Sequence, residues 1–278
     1  MRVAPTASRH VAPAVHGWPS WSPGRPDAVL DLLSDVHLDE GMPRTFEAFA
    51  AHLRATPASA VLILGDLFEV WVGDDARCAG FERRCLQVLA NASASKQIAF
   101  LPGNRDFLVG DAMLHECGIQ RLPDPVVLVH AGQRLLLTHG DALCLDDGDY
   151  QRFRAQVRGA AWQEAFLSRS LPERREMARA MRDASSHHQI KLRKRSSPAQ
   201  WVDVVDDAAV QWLMAAQVDR LIHGHTHQPG EHDLGSGLSR WVLGDWDMDH
   251  GSPRARLLRL APAGLQWLDA VPAQASPA

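Results

Sequence analysis

The chain has 278 residues, 46% of them hydrophobic and 22% charged, with a formal net charge of −4. That balance suits a globular protein with a sizeable core and excludes a fibrous or largely disordered chain. It also argues against a nucleic-acid binder working through a strongly basic surface, because neutralising phosphates takes many Lys and Arg. No apolar run is long enough for a spanning helix, and Pro5, Pro13, Pro19, Pro23 and Pro26 interrupt any leader-like apolar core. Cys78, Cys85, Cys117 and Cys144 form no CxxC pair. They read as free thiols of a reducing compartment, which makes the cytoplasm the expected location.

Residues 1–26 are rich in Pro, Ala and Ser and contain no acid. They are expected to be a disordered extension or the product of a mis-set start codon. An apolar run over 28–33 then leads into Ser34-Asp35-Val36-His37. A helical stretch over 44–54 precedes a buried strand over 60–64, which ends in Gly65-Asp66. A helix over 81–89 precedes a strand over 97–101, which runs into Pro102-Gly103-Asn104-Arg105-Asp106. After a helix over 108–117, segments 126–129 and 135–138 read as a hairpin ending in His139-Gly140-Asp141. Helical pattern dominates 149–190, and a further helix is expected over 203–216. The strand over 220–222 leads into His223-Gly224-His225-Thr226-His227, and strands near 241–243, 256–260 and 265–268 follow. Strands alternating with helices predict an α/β layered fold over 27–270, with a tail at 271–278.

Five predicted strands each end in Asp, His or Asn, and ligands in α/β sheets gather at the carboxyl ends of strands. Taken singly these residues are ordinary: Gly65-Asp66 and Asn104 suit turns, and His225 and His227 suit a solvated loop. All five in order, each after an apolar strand, point to one site. Asp, His and Asn without Cys suit Mn²⁺, Fe²⁺ or Zn²⁺. Seven donors, Asp35, His37, Asp66, Asn104, His139, His225 and His227, exceed what one tetrahedral ion needs and fit two ions sharing a carboxylate. Two metals about 3.5–4 Å apart are a common device for hydrolysing phosphoesters and phosphoanhydrides.

The motifs DxH (Asp35, His37), GD (Gly65-Asp66), GNxD (Gly103 to Asp106), HGD (His139 to Asp141) and GHTH (Gly224 to His227) together resemble the calcineurin-like metallophosphoesterases. The resemblance implies an α/β (α+β) fold, a β-sandwich flanked by helices, and two Mn²⁺ per subunit. By matching motif, one ion would be held by Asp35, His37, Asp66 and His227. The other would be held by Asp66, Asn104, His139 and His225, so Asp66 would bridge. Catalytic roles fall to Asp66, Asn104, Arg105 and His139, while His223 lies outside the pattern and is expected to be structural. Many members carry His where this chain has Arg105. Arginine cannot shuttle a proton, but its planar fork grips phosphate oxygens, which suits a substrate with a good leaving group such as a pyrophosphate.

The longer strings 65–75, 103–108, 139–147 and 221–227 are similar to one subfamily, which cleaves the pyrophosphate of UDP-2,3-diacylglucosamine in lipid A biosynthesis. The implied reaction is water attack on the α-phosphorus, giving UMP and 2,3-diacylglucosamine 1-phosphate. Segment 149–198 carries twelve Lys and Arg against five Asp and Glu, so its balance is +7 while the rest of the chain is −11. Trp162, Phe166, Leu167, Leu171, Met177 and Met181 interleave with those charges. A basic amphipathic surface of this kind meets anionic headgroups and covers an acyl chain; the plain alternative is a helical hairpin packed on the core. The subfamily reading makes about 149–200 a helical cap insertion. Substrate contacts then fall at Asn104, Arg105, Asp147, Ser185 and His225, with Gln189 at a family Asn position and Lys191 or Lys194 at a family Lys. The expected partners are the lipid substrate and the cytoplasmic face of the inner membrane, with peripheral attachment, no nucleic acid and a monomeric state. Two other readings are a metallophosphoesterase acting on a soluble nucleotide or phosphoprotein, and a protein-binding scaffold. The full donor set argues against the scaffold.

Overall fold

The computed structural model describes residues 18–195 and 203–270, with side chains described through Asp183 in the first stretch. The strands are β1 (Ser20–Trp21), β2 (Leu30–Leu33), β3 (Ala60–Leu64), β4 (Gln97–Leu101), β5 (Ile119–Arg121), β6 (Val126–His130), β7 (Gln133–Leu137), β8 (Arg220–His223), β9 (Gly230–Gly235), β10 (Leu238–Val242), β11 (Arg256–Ala261) and β12 (Gly264–Asp269). The helices are α1 (Pro43–Ala55), α2 (Gly80–Ser93), α3 (Asp111–Cys117), α4 (Gly148–Val157), α5 (Ala160–Leu167), α6 (Leu171–Arg195) and α7 (Asp206–Ala216).

The strands form two six-stranded mixed sheets, ordered β12-β11-β2-β3-β4-β5 and β1-β6-β7-β8-β10-β9. Alternation along each strand builds the layers. In β2 and β3, Leu30, Leu32, Leu62 and Leu64 face the second sheet and meet Val126, Leu128, Leu135, Leu137 and Ile222. The intervening Leu33, Val61 and Ile63 face outward, under Phe49 and Leu53 of α1 and Leu86 and Leu89 of α2. Because both faces of these strands are covered, β3 reads AVLIL with no polar alternation. On the other side, Ala209, Trp212 and Leu213 of α7 cover Val127, Leu136 and Leu221. The expected helix-flanked sandwich is therefore present.

β2, β3 and β4 run parallel, as do β7 and β8. Their carboxyl ends thus collect along one rim of the sandwich, and the motif residues follow directly.

The N-terminal segment and strands β5 and β9 differ from expectation. Residues 18–26 are not extension: Ser20–Trp21 pairs parallel with Val127 and Leu128, and the Trp18 ring lies 5.7 Å from that of Trp212. The two tryptophans supply anchorage that composition alone obscured, and an edge strand tolerates the neighbouring prolines. Residues 1–17 and 271–278 lie outside the described residues. The helical pattern expected over 149–190 is present, divided among three helices, α4, α5 and α6. Its last break is set at Ser170, whose amide donates to Glu173 Oε2 at 2.9 Å, as in one half of a capping box, and whose hydroxyl donates to the same oxygen at 2.6 Å. Strands β5 and β9 were also not expected. All four cysteines are free, and no helix among the described residues is long and apolar enough to cross a membrane.

Candidate metal centre and adjoining cavity

The chain turns sharply as it leaves β2, β3 and β8 at the rim. Asp35, His37, Asp66, His225 and His227 all take positive φ, between 50° and 70°. This region costs a non-glycine residue about 1–3 kcal/mol, and such strain persists only where the surroundings enforce it. Here neighbouring loops do so. Asp35 N donates to Gly65 O at 3.1 Å, His37 N to Asp66 O at 3.0 Å, and Gly224 N to His139 O at 2.9 Å. The Asp106 carboxylate accepts from Leu67 N at 2.7 Å and Gly103 N at 2.8 Å, tying the β3 and β4 loops together. Burial, and then Asp66, push Asp106 up to about 7. A Cβ at Gly103 would overlap the Asp66 carboxylate, and one at Gly224 would overlap Asp35. Glycine is needed at both positions for this close approach.

The result brings all seven expected donors together. His37 Nε2 lies 3.2 Å from His227 Nε2, and His227 Nε2 lies 3.3 Å from Asp35 Oδ1. Asn104 Oδ1 lies 2.9 Å from His139 Nε2 and 2.7 Å from His225 Nδ1, while Asp66 Oδ1 lies 3.6 Å from His139 Nε2. The donor atoms of Asp35, His37 and His227 fall within 4.8 Å of one another, and so do those of Asp35, Asp66 and His139. Asp35 is common to both groupings, and Asp66, the expected bridge, joins the second. His223 is buried with Nδ1 2.8 Å from Gly224 O, apart from both groupings; burial lowers it to about 4.

The electrostatics suit a cation. Burial would push Asp35 up, but His227, His139 and His37 outweigh it and hold the carboxyl below its ordinary range. Burial would lower His139, yet Asp66 and Asp35 raise it to about 9. Burial and His139 together lower His225 to about 3. Buried carboxylates thus draw positive charge into the rim, and a divalent ion supplies it while leaving the imidazoles neutral. The imidazoles are also aimed for ligation. His139 Nδ1 donates to Leu64 O at 2.9 Å, and His37 Nδ1 lies 2.8 Å from Glu69 Oε2, so both present Nε2 to the centre. The oxygen and imidazole donors fit a hard-to-borderline divalent metal.

Beside Asn104 and Arg105 opens a cavity of about 330 Å³, roofed by α4, α5 and α6. Its lining mixes charged and apolar groups. Arg105, Arg154, Arg158 and Arg182 bring positive charge beside the carboxylates of Glu69, Asp141 and Asp149, while Phe107, Phe153 and Trp162 bring apolar rings. Trp162 stacks on Phe166 at 4.9 Å.

The cap is tied down by ion pairs. Buried Asp141 accepts from Tyr150 Oη at 2.9 Å and Arg154 Nε at 2.8 Å. Arg158 Nη2 donates to Gly103 O at 2.9 Å. Arg174, itself buried, pairs with Asp75 and donates to Val72 O. Arg182 Nε lies 2.9 Å from Glu69 Oε1. Asp147, expected to touch substrate, caps α4 by accepting from Tyr150 N at 2.9 Å. The side chains of Ser185, Gln189, Lys191 and Lys194, expected on the cap, lie outside the described residues. Glu69, Asp106, Asp141, Tyr150 and Arg182 were not foreseen in any role. Glu69, Asp106 and Asp141 sat within the motif strings as letters without a function, and Tyr150 is the chain's single tyrosine.

A helix-flanked double sheet with oxygen and imidazole donors converging on one rim defines a metal-dependent phosphoesterase, and the chain belongs to the calcineurin-like phosphoesterase family, which it matches over residues 29–229. Among curated proteins it is similar to the UDP-2,3-diacylglucosamine hydrolase of Bordetella pertussis, 41% identical over 250 residues, covering 87% of this chain and 95% of that protein. It is also similar to the proteins of that name from Ralstonia nicotianae, at 41% identity with 86% and 91% covered, and Xanthomonas campestris pv. campestris, at 44% with 77% and 90% covered.

Proposed function

We propose that this protein hydrolyses the pyrophosphate of UDP-2,3-diacylglucosamine by water attack on the α-phosphorus, giving UMP and 2,3-diacylglucosamine 1-phosphate in lipid A biosynthesis. The observation that carries this reading is the cavity: it adjoins the rim at Asn104 and is lined both by arginines and by stacked aromatic rings. An amphiphile with a phosphate end and an acyl end uses both linings. A soluble nucleotide or a phosphoprotein leaves the rings without a partner. Relatives of 41–44% identity that bear this enzyme's name support the same substrate.

The metal would be held by Asp35, His37, Asp66, Asn104, His139, His225 and His227, and our reading is two Mn²⁺ per subunit. Bound there, it supplies Lewis-acid polarisation and a nucleophile from water near neutral pH. The chain's own residues do the rest. Arg105 stays charged throughout and grips phosphate oxygens, so it stabilises negative charge as it develops. No proton needs delivering to the leaving group, because a phosphate departs from a pyrophosphate as an anion. Leu64 O and Glu69 hold the rings of His139 and His37 in their ligating orientation. Phe107, Phe153 and Trp162 exclude water from the acyl side.

The basic cap, with Phe153 and Leu167 exposed on it, supports peripheral attachment to the cytoplasmic face of the inner membrane; our reading also makes the protein a monomer, and its net charge of −4 argues against nucleic acid as a partner. The reading is tested by UMP release from UDP-2,3-diacylglucosamine in mild detergent, with and without Mn²⁺. Manganese-dependent UMP together with the lipid monophosphate is the expected result. Hydrolysis of a soluble phosphodiester but not of this lipid would overturn the substrate and keep the metal centre.

A further inference from the structure

Glu69 belongs to neither metal grouping, and beyond its place beside the His37 ring it takes no part in the reaction as derived, yet it stands between the rim and the cap. The loop after β3 runs beside the loop after β2 as a short parallel ribbon. His37 N donates to Asp66 O at 3.0 Å, Leu38 N to Leu67 O at 2.9 Å, and Glu69 N to Leu38 O at 3.2 Å. The ribbon sets Glu69 beside His37 and leaves its side chain only 13% exposed. Its two oxygens then face different regions. Oε2 lies 2.8 Å from His37 Nδ1. Oε1 lies 2.9 Å from Arg182 Nε of α6 and 3.9 Å from Arg105 Nη1. The opposite nitrogen of the His37 ring, Nε2, is the one that meets His227. A carboxylate on one imidazole nitrogen fixes the tautomer and ring direction and raises the basicity of the other.

We propose that Glu69 is a positioning residue that couples metal binding to cap closure: Oε2 aims His37 at the metal, and Oε1 holds Arg182 and with it the α6 wall of the cavity. The coupling rests on the metal-centre reading above. A divalent ion held by His37 would make its Nδ1–H a stronger donor toward Glu69 Oε2, 2.8 Å away, and so would steady the carboxylate that Arg182 holds. By linkage the effect is reciprocal, so loosening Arg182 weakens the metal.

The test measures Mn²⁺ affinity of the metal-stripped full-length chain by competition with a chromogenic chelator, and hydrogen exchange over residues 174–183 of α6. Glu69→Gln is expected to weaken Mn²⁺ binding by about 10–100-fold, and Arg182→Gln by about fivefold. The double variant should match Glu69→Gln within about twofold, because both substitutions remove the same contact. Mn²⁺ should slow exchange in α6 of the wild type, and saturating Mn²⁺ should fail to do so in either variant. The proposal is overturned if Glu69→Gln binds Mn²⁺ within about twofold of wild type, if the two effects multiply, or if the α6 response survives. Arg182 is 45% exposed, so Arg182→Gln leaves the fold intact and its exchange response decides the matter alone should Glu69→Gln fail to fold. A wild-type chain that binds no more Mn²⁺ than Asp66→Ala overturns the metal reading itself. Normal wild-type binding with unaffected variants overturns only the coupling.

Discussion

The rim and the cap face each other across one cavity, and they are held by different forces. At the rim, ligand side chains stand on loops fixed by backbone hydrogen bonds between neighbouring strands, and Asp35, Asp66 and His139 among them are buried. In the cap, α4 and α6 reach the sandwich through arginines: Arg154 and Arg158 on Asp141, Arg174 on Asp75, Arg182 on Glu69, and Arg175 on Glu82. Backbone anchorage is rigid and keeps donor atoms within ligating distance. Long side-chain ion pairs have softer geometry, are screened by salt, and can release when a bulky substrate enters. The division suits a hydrolase whose reacting centre must stay fixed while its cover admits a lipid.

The comparison can be broken most severely at the rim. Asp66→Ala should abolish turnover and lower bound metal, read by activity and metal analysis on the same sample. Arg105→Ala should lower kcat by about 10²–10³-fold, because it removes a group that acts on developing charge; its metal content should stay at the wild-type level.

The cap variants should have smaller effects. Asp141→Asn leaves two arginines without their buried partner. Breaking such a pair costs about 3–5 kcal/mol, with the lower end expected because Arg154 and Arg158 keep 23% and 21% exposure; a urea melt measures it. Arg174→Gln removes the α6 anchor on Val72 O and Asp75. A loss of about 1–1.4 kcal/mol should appear as a roughly five- to tenfold rise in KM for the lipid, with hydrolysis of a small soluble phosphodiester unchanged. Smallest of all, Arg175→Ala cuts an exposed pair with Glu82 and should shift stability by less than about 1 kcal/mol, an effect that 0.5 M salt erases.

The donors were legible because their code is local. A buried strand shows as an apolar run, a turn shows as Gly or Asn, and a ligand is the Asp or His that follows. Asp35, His37, Asp66, Asn104, His139, His225 and His227 could each be located from neighbours within a few positions, and the parallel β2-β3-β4 order needed only the helices between them. Glu69, Asp141 and Arg182 were not legible in the same way. A glutamate after a phenylalanine, an aspartate after a glycine and one arginine among twelve basic residues carry no period and no spacing. Each gains its role from a partner far along the chain: Glu69 from Arg182, and Asp141 from Arg154 and Arg158.

Residues 18–26 and the cap show the same limit from two sides. Pro-rich composition concealed Trp18 and Trp21, whose partners are Trp212 and β6, more than a hundred residues away. Helical periodicity revealed that 149–190 is helical but not which face of α6 meets the sandwich. What the linear order settled was the class of chemistry, since donor type and strand-end placement depend on short-range physics. The substrate cavity was settled by folding, because its walls come from α4, α5, α6 and two strand loops at once. Ion pairs and ring stacks between distant segments form only when hydrophobic burial has already brought those segments together.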